Sequence, residues 1–230
     1  MKTLGLIGGT TWLSTVEYYT LINQRTGEML GGLSSARILL YSVNFEEFRP
    51  PVNPDEWGGL SAKFTAIAQN LERAGADGIV FCANTPHMVA DVVQQSIGIH
   101  LIHIAEATAD EVLSKHLKKV ALLGTRITME QDFYKRKLAQ KGIDVLVPDE
   151  EDRKFLHNSI FEELGKGIFT AETKARFMHI INGLIDQGAE GIILGCTEFP
   201  LLIKPEDCSV PTFDTTHIHA NAAVKFALGA

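Results

Sequence analysis

Short apolar, β-branched runs alternate with longer stretches of helical period along the chain. "TLGLIG" reads as a strand, and "STVEYYTLINQRTGEM" reads as a helix that opens on a capping box of Ser14 and Glu17. "ARILLYS" is the next strand. Leu60, Phe64, Ile67, Ala68 and Leu71 then fall on one face of a helix. "GIVF" is a third strand and "HLIHIA" a fourth. "KVALLGT" begins a comparable series, which "GIDVLVP", "GIILG" and "VPTFD" continue. Strands alternating with helices of this length predict parallel sheets covered on both faces.

The two halves also match in detail. "RAGADGIVFCANTP" and "DQGAEGIILGCTEFP" share the pattern Gly-Ala-acid-Gly-Ile followed by apolar residues. Aligning Gly75 with Gly188 needs no gap. It sets Cys82 opposite Gly195, Ala83 opposite Cys196, Asn84 opposite Thr197 and Thr85 opposite Glu198. "LGLIGGTT" likewise resembles "VALLGTRIT". The expected fold is α/β, with two pseudo-symmetric Rossmann-like lobes. Residues 1–104 plus 212–230 form the first and 105–211 the second. Ligands bind outside the carboxyl ends of strands in such sheets, so the active site is expected in the cleft between the lobes. Side chains alternate along a strand, so Cys82, one residue out of register with Cys196, points another way.

Composition narrows the class. Of the 230 residues, 45% are hydrophobic and 21% charged, an ordinary globular balance. A formal net charge of −7 argues against nucleic acid or a polybasic membrane contact. No apolar run is long enough to span a bilayer, and "MKTLGLIGG" lacks the apolar region of a signal peptide. Cys82, Cys196 and Cys208 have no disulfide spacing. The expectation is a cytoplasmic protein.

Four motifs carry a resemblance that covers essentially the full length. They are "GLIGGTTWLST", "NTPH", "LLGTRITMEQDFY" and "GCTEFP", in that order. The chain resembles the aspartate/glutamate racemase superfamily, the cofactor-independent amino-acid racemases. The resemblance implies two cysteines facing each other across a substrate α-carbon, one removing the proton and the other returning one. The family's first cysteine directly precedes the asparagine; here that slot is Ala83. The second is present as Cys196. The resemblance assigns the L form to the second-half cysteine, so it implies a racemase for aspartate or glutamate with the L form preferred. It also implies a homodimer and needs neither pyridoxal phosphate nor a metal; the only expected partner is a small acidic amino acid.

The remaining roles follow from residue type. Cys196 ends a strand before a turn or helix start, where positive potential lowers a thiol's pKa. Asn84, Thr85, Thr125 and Thr197 supply an amide, hydroxyls and N–H groups for a carboxylate and its developing charge. Gly9, Thr10 and Thr11 form a carboxylate loop, against a nucleotide-binding turn or a plain tight turn. Glu198 tunes the thiol or binds the substrate ammonium, against a solvated glutamate. Arg49, the one cation in a 44–59 lid candidate, clamps a distal carboxylate, against a surface arginine on a turn. Cys82 and Cys208 read as structural. His217 and His219 lack the partners a metal site needs. A single thiol also suits a decarboxylase or an eliminase, and a lost thiol suits a catalytically weakened small-molecule binding protein.

Overall fold

The computed structural model describes residues 1–51, 53 and 56–230. The first half runs β1 (Thr3–Gly8), α1 (Trp12–Leu30), β2 (Arg37–Ser42), α2 (Phe45–Phe48), α3 (Trp57–Arg73) and β3 (Gly78–Phe81). A 3-10 turn over Thr85–Val89, α4 (Ala90–Gln95) and β4 (His100–Leu101) complete it. The second half runs α5 (Ile104–Ser114), β5 (Lys119–Gly124), α6 (Arg126–Glu130), α7 (Asp132–Gln140), β6 (Asp144–Leu146) and α8 (Glu150–Glu162). It ends with α9 (Ala171–Asp186), β7 (Ile192–Gly195), α10 (Phe199–Leu202), β8 (Thr212–Asp214) and α11 (Thr215–Leu228).

Each half builds one parallel four-stranded sheet, in the orders β2-β1-β3-β4 and β6-β5-β7-β8. The register repeats as well. Gly5 pairs with Ile79 in the first sheet and Ala121 with Ile192 in the second, as both sequence alignments require. The acid of the shared pattern has a job in both halves. Asp77 Oδ2 accepts from the Thr3 N–H at 2.6 Å, and Glu190 Oε2 from the Lys118 and Lys119 N–H groups at 2.7 and 3.1 Å. Each carboxylate thereby satisfies backbone donors at the start of the neighbouring strand.

The central strands β3 and β7 are buried on both faces and are apolar throughout, while the edge strand β2 is largely exposed. In the first sheet Ile7, Ile79 and Phe81 pack under α3, whose buried positions are Leu60, Phe64, Ile67, Ala68 and Leu71. Leu4, Leu6, Val80 and Cys82 face the other way, onto Tyr18 and Ile22 of α1 and Ala220, Ala223 and Val224 of α11. In the second sheet Ala121, Leu123, Ile192 and Leu194 pack under α8 and α9 through Leu156, Ile160, Phe177, Ile181 and Leu184. Truncating one such buried Leu or Ile to Ala costs about 2–5 kcal/mol, a large share of a domain's stability.

Three expectations change here. The chain divides into residues 1–104 with 219–230, and residues 105–218. Residues 212–218, expected with the first lobe, belong to the second unit because β8 pairs with β7. The helix after β1 starts at Trp12, so Ser14 lies inside its first turn and no capping box with Glu17 forms; the Ser14 hydroxyl donates to the Cys82 carbonyl at 2.6 Å. The fourth strand stops at Leu101. Beyond it the Ile102 carbonyl accepts from His219 Nε2 at 2.7 Å and the Ile104 N–H donates to His87 Nε2 at 3.2 Å. Two imidazoles thus take backbone groups that a longer strand would offer to a neighbour.

Candidate functional site

In the second unit the candidate residues lie at the carboxyl ends of paired strands. Gly124 pairs with Gly195, so Thr125 follows β5 and Cys196 follows β7 at the same edge. The approach is close: a Cβ on Gly195 would meet the Leu123 carbonyl oxygen at 2.7 Å. The glycine of "GCTE" is therefore required by the packing that presents the cysteine. The Cys196 thiol donates to Glu198 Oε2 at 2.9 Å, and the Thr197 hydroxyl donates to the same oxygen at 2.9 Å. Cys196 is buried, 9% exposed, at the edge of the second core.

The electrostatics differ from expectation. The Cys196 thiol is held well above the ordinary thiol range, first by burial and then by the charge and hydrogen bond of Glu198. The backbone N–H groups of Glu198 and Thr197 act in the opposite direction. The following helix, α10, has only four residues, so it does not supply the helix-terminus potential expected from the sequence. The free site therefore holds a protonated thiol with its proton directed at a carboxylate.

Thr125 caps α6, its Oγ1 accepting from the Thr128 N–H at 3.2 Å. Thr216, in the first turn of α11, escaped the sequence reading. Its Oγ1 is buried and has no hydrogen-bond partner among the described residues. Its neighbour Thr215 donates to the Leu194 carbonyl at 3.0 Å, tying α11 to the strand that carries Cys196.

In the first unit, Gly9–Thr11 follow β1 while Ala83–Thr85 follow β3, again at the ends of paired strands. Gly9 has φ +88, and a Cβ there would meet the Val43 carbonyl oxygen at 2.1 Å, so no side chain fits. Its N–H donates to Thr15 Oγ1 at 2.8 Å, which fixes the turn at the end of β1. Thr11 is exposed, and its carbonyl accepts from the Thr15 hydroxyl at 3.2 Å. Thr10 is different. Its hydroxyl is buried and has no partner among the described residues, which suits a bound polar group. Asn84 is buried and Thr85 half-buried. Cys82 is fully buried and its thiol is pushed far up by burial alone. Ala83, in the register position of Cys196, is partly exposed.

Beneath Ala83 sits a group that the sequence reading passed over. His87, the last residue of "NTPH", is buried, and its Nδ1 lies 3.0 Å from the Ala83 carbonyl and 3.2 Å from that of Asn84. Its ring packs against those of Phe81, His103 and His219. His219 accepts from the Tyr18 hydroxyl through Nδ1 at 2.8 Å. A histidine inside a quoted motif was the available signal, but its burial is a tertiary fact.

Arg49 lies on the surface. Its guanidinium is 65% exposed, pairs with Glu46 at 3.4 Å and lies over the Phe45 ring. The 44–59 lid candidate includes Val52, Pro54 and Asp55, which lie outside the described residues. His217 is exposed and 3.9 Å from Asp214. Cys208 is partly buried against the second core. Among the described residues no group of three or more His, Cys, Asp or Glu side chains could hold a metal, and no helix is long and apolar enough to cross a membrane.

Comparison with known proteins places this geometry. A solved structure of a candidate Asp/Glu racemase from Yersinia pestis is 47% identical, with TM-score 0.94 over 99% of this chain and 100% of that one. An aspartate racemase homologue from Pyrococcus horikoshii is 41% identical, with TM-score 0.87 over 99% and 100%. The broad specificity amino-acid racemase of Bacillus subtilis is 26% identical over 175 residues, 76% of this chain and 74% of its own. Residues 7–223 match the Asp/Glu/Hydantoin racemase family, and the chain belongs to it.

Proposed function

We propose that this chain takes the α-proton from a small acidic amino acid, aspartate or glutamate, with Cys196 as the base. One observation carries the reading: the Cys196 thiol, at the end of β7, is hydrogen-bonded to a carboxylate that can accept its proton. The relatives named as aspartate racemase homologue and Asp/Glu racemase support the substrate class.

In this reading the Cys196 proton passes to Glu198 Oε2, leaving a thiolate and a neutral carboxylic acid. The N–H groups of Thr197 and Glu198, which favour the thiolate, hold it. The thiolate takes the α-proton, the Cα–H electron pair moves toward the substrate carboxylate, and Cys196 is again a thiol. Thr125 and Thr197 add hydroxyls beside Cys196, and Thr10, Asn84 and Thr85 are the further substrate contacts of this reading, Thr10 and Asn84 being buried. The scheme uses no lysine Schiff base and no metal. Ala83 leaves the matching first-half position without a thiol, so the reaction is one-sided and the L form is preferred. The same asymmetry suits a decarboxylase, which would release carbon dioxide.

The test is incubation in heavy water with L- and D-aspartate and L- and D-glutamate. Rapid α-deuteration of an L substrate, and its loss by several orders of magnitude in Cys196→Ser, is the expected result, because a serine hydroxyl is a far weaker base than a thiolate. Retention of more than about a tenth of the rate, a loss below ~1.4 kcal/mol of transition-state stabilisation, would refute Cys196 as the base.

A further inference from the structure

We propose that His87 is a positioning residue that fixes the Ala83–Asn84 backbone by bonding it to the chain at Ile104. The proposal rests on the racemase reading only in holding that this loop carries substrate contacts. The ring spans two stretches of chain. Nε2 accepts from the Ile104 N–H at 3.2 Å, so Nε2 carries no proton. The proton is then on Nδ1, which donates to the carbonyls of Ala83 at 3.0 Å and Asn84 at 3.2 Å. One neutral imidazole thus satisfies three backbone groups. Burial, then the neighbouring His103 and His219, keep it neutral by holding its pKa well below the ordinary histidine range.

The internal repeat shows that this arrangement belongs to the first half alone. With Gly75 aligned on Gly188, Pro200 takes the place of His87. In the second half a carboxylate, Glu198, stands beside the strand-end residue Cys196. In the first half the strand-end residue is Ala83, which has no polar side chain to hold, and the imidazole grips its carbonyl instead. Ile104 is also where the chain leaves the first unit, and His219, whose ring touches that of His87, is where it returns. His219 grips the Ile102 carbonyl at 2.7 Å. The loop that carries Ala83, Asn84 and Thr85 is therefore bonded to the segment at which the first unit ends.

The atoms of His87 can be tested separately. In His87→Asn the amide N–H can replace Nδ1, and in His87→Gln the side-chain amide reaches the Nε2 position instead. His87→Phe keeps the ring volume and removes every hydrogen bond. For each variant, α-deuteration of L-aspartate, its KM, and native-state amide exchange over residues 83–88 and 104 are measured. The expected result is that Asn stays within about threefold of wild type. Phe should lose at least about thirtyfold in kcat/KM, with Gln between them. Amide protection of the loop should fall in the same order. A folded Phe or Gln variant with lost loop protection but kinetics within twofold of wild type would overturn the proposal, since His87 would then be structural only. Unchanged protection in both would overturn it too. If wild type binds L-aspartate without exchanging its α-proton, the racemase reading fails alone. His87 is then judged on the Kd for L-aspartate, which rises at least tenfold in the Phe variant or refutes the proposal by staying level. Absence of binding overturns both.

Discussion

The Cys196 thiol donates to Glu198 Oε2 across 2.9 Å, and this contact, after burial, raises the thiol's pKa and offers its proton a destination. The two effects separate in Glu198→Gln. Removing the carboxylate removes a nearby negative charge, so the thiol becomes more acidic. Alkylation of Cys196 by iodoacetamide at pH 7.5 should therefore speed up several-fold, because the thiolate is the nucleophile. Deuterium exchange into substrate should nevertheless fall by about 10²–10⁴, the usual contribution of a positioned proton acceptor. Peptide mapping distinguishes Cys196 from the fully buried Cys82 and partly buried Cys208. Faster alkylation together with unimpaired exchange would remove Glu198 from the proton path.

His219 gives the fold a pH dependence. It is buried and neutral, accepting from Tyr18 and donating to the Ile102 carbonyl, and burial lowers its pKa to about 4. In the unfolded chain the ring takes a proton below about pH 6.5. The unfolded state therefore binds more protons between those values, and stability falls as pH drops from about 6.5 toward 4. For this ring the loss approaches about 3 kcal/mol, with His87 shifted in the same direction. Urea unfolding at pH 7 and pH 4.5 measures it. His219→Gln should start less stable at pH 7 and lose less on acidification. An identical pH slope in the two proteins would mean that other groups dominate.

Arg49 tests whether exposure excludes a role. Its ion pair with Glu46 joins two side chains that are 65% and 71% exposed, so it is worth at most about 1 kcal/mol. Arg49→Ala should leave the urea midpoint almost unchanged, which makes kinetics on the variant clean. If Arg49 clamps a distal carboxylate, KM for aspartate and glutamate rises about tenfold or more and KM for an uncharged amino acid does not. Equal effects on both classes would assign it to the local turn alone.

The features legible in the sequence are those written into a repeat or a period. The stripe from Leu60 to Leu71 is the buried face of α3, because one apolar face per helix is what a covered sheet requires. The two four-stranded sheets with matched order follow from the Gly-Ala-acid-Gly-Ile pattern, whose acid binds the backbone at the start of the neighbouring strand. The position of Ala83 against Cys196 was readable for the same reason. What was not readable depends on side chains meeting from distant parts of the chain. His87, His103, His219 and Tyr18 carry no common spacing, yet their rings and hydroxyl form one buried group. That group takes the backbone of Ile102 and Ile104 and so shortens the strand expected there. The upward shift of the Cys196 thiol is hidden for a different reason, since burial and the Glu198 contact are tertiary facts. A short turn with a carboxylate in it looks, as sequence, like the start of a helix.

The asymmetry between Ala83 and Cys196 makes the last prediction. Both follow a central strand of identical sheet position, but only one carries a thiol. With a base on one face of the α-carbon, wild type should exchange the α-proton of L-aspartate or L-glutamate rapidly and that of the D form slowly. The proton delivered to the other face must come from water or a weak donor, so net racemisation should lag behind exchange. Ala83 is partly exposed and Cys82 before it is buried, so a thiol introduced by Ala83→Cys gains solvent access that Cys82 lacks. The variant should turn on exchange with the D enantiomer and bring racemisation closer to the exchange rate. Its carbonyl remains held by His87 Nδ1 at 3.0 Å, so the backbone that presents the new thiol is already fixed. The measurement is α-deuteration of both enantiomers by wild type and variant, side by side, by proton NMR. Equal exchange of L and D forms by wild type would mean that a residue other than Cys196 serves as a second base, and the one-thiol reading would then be abandoned.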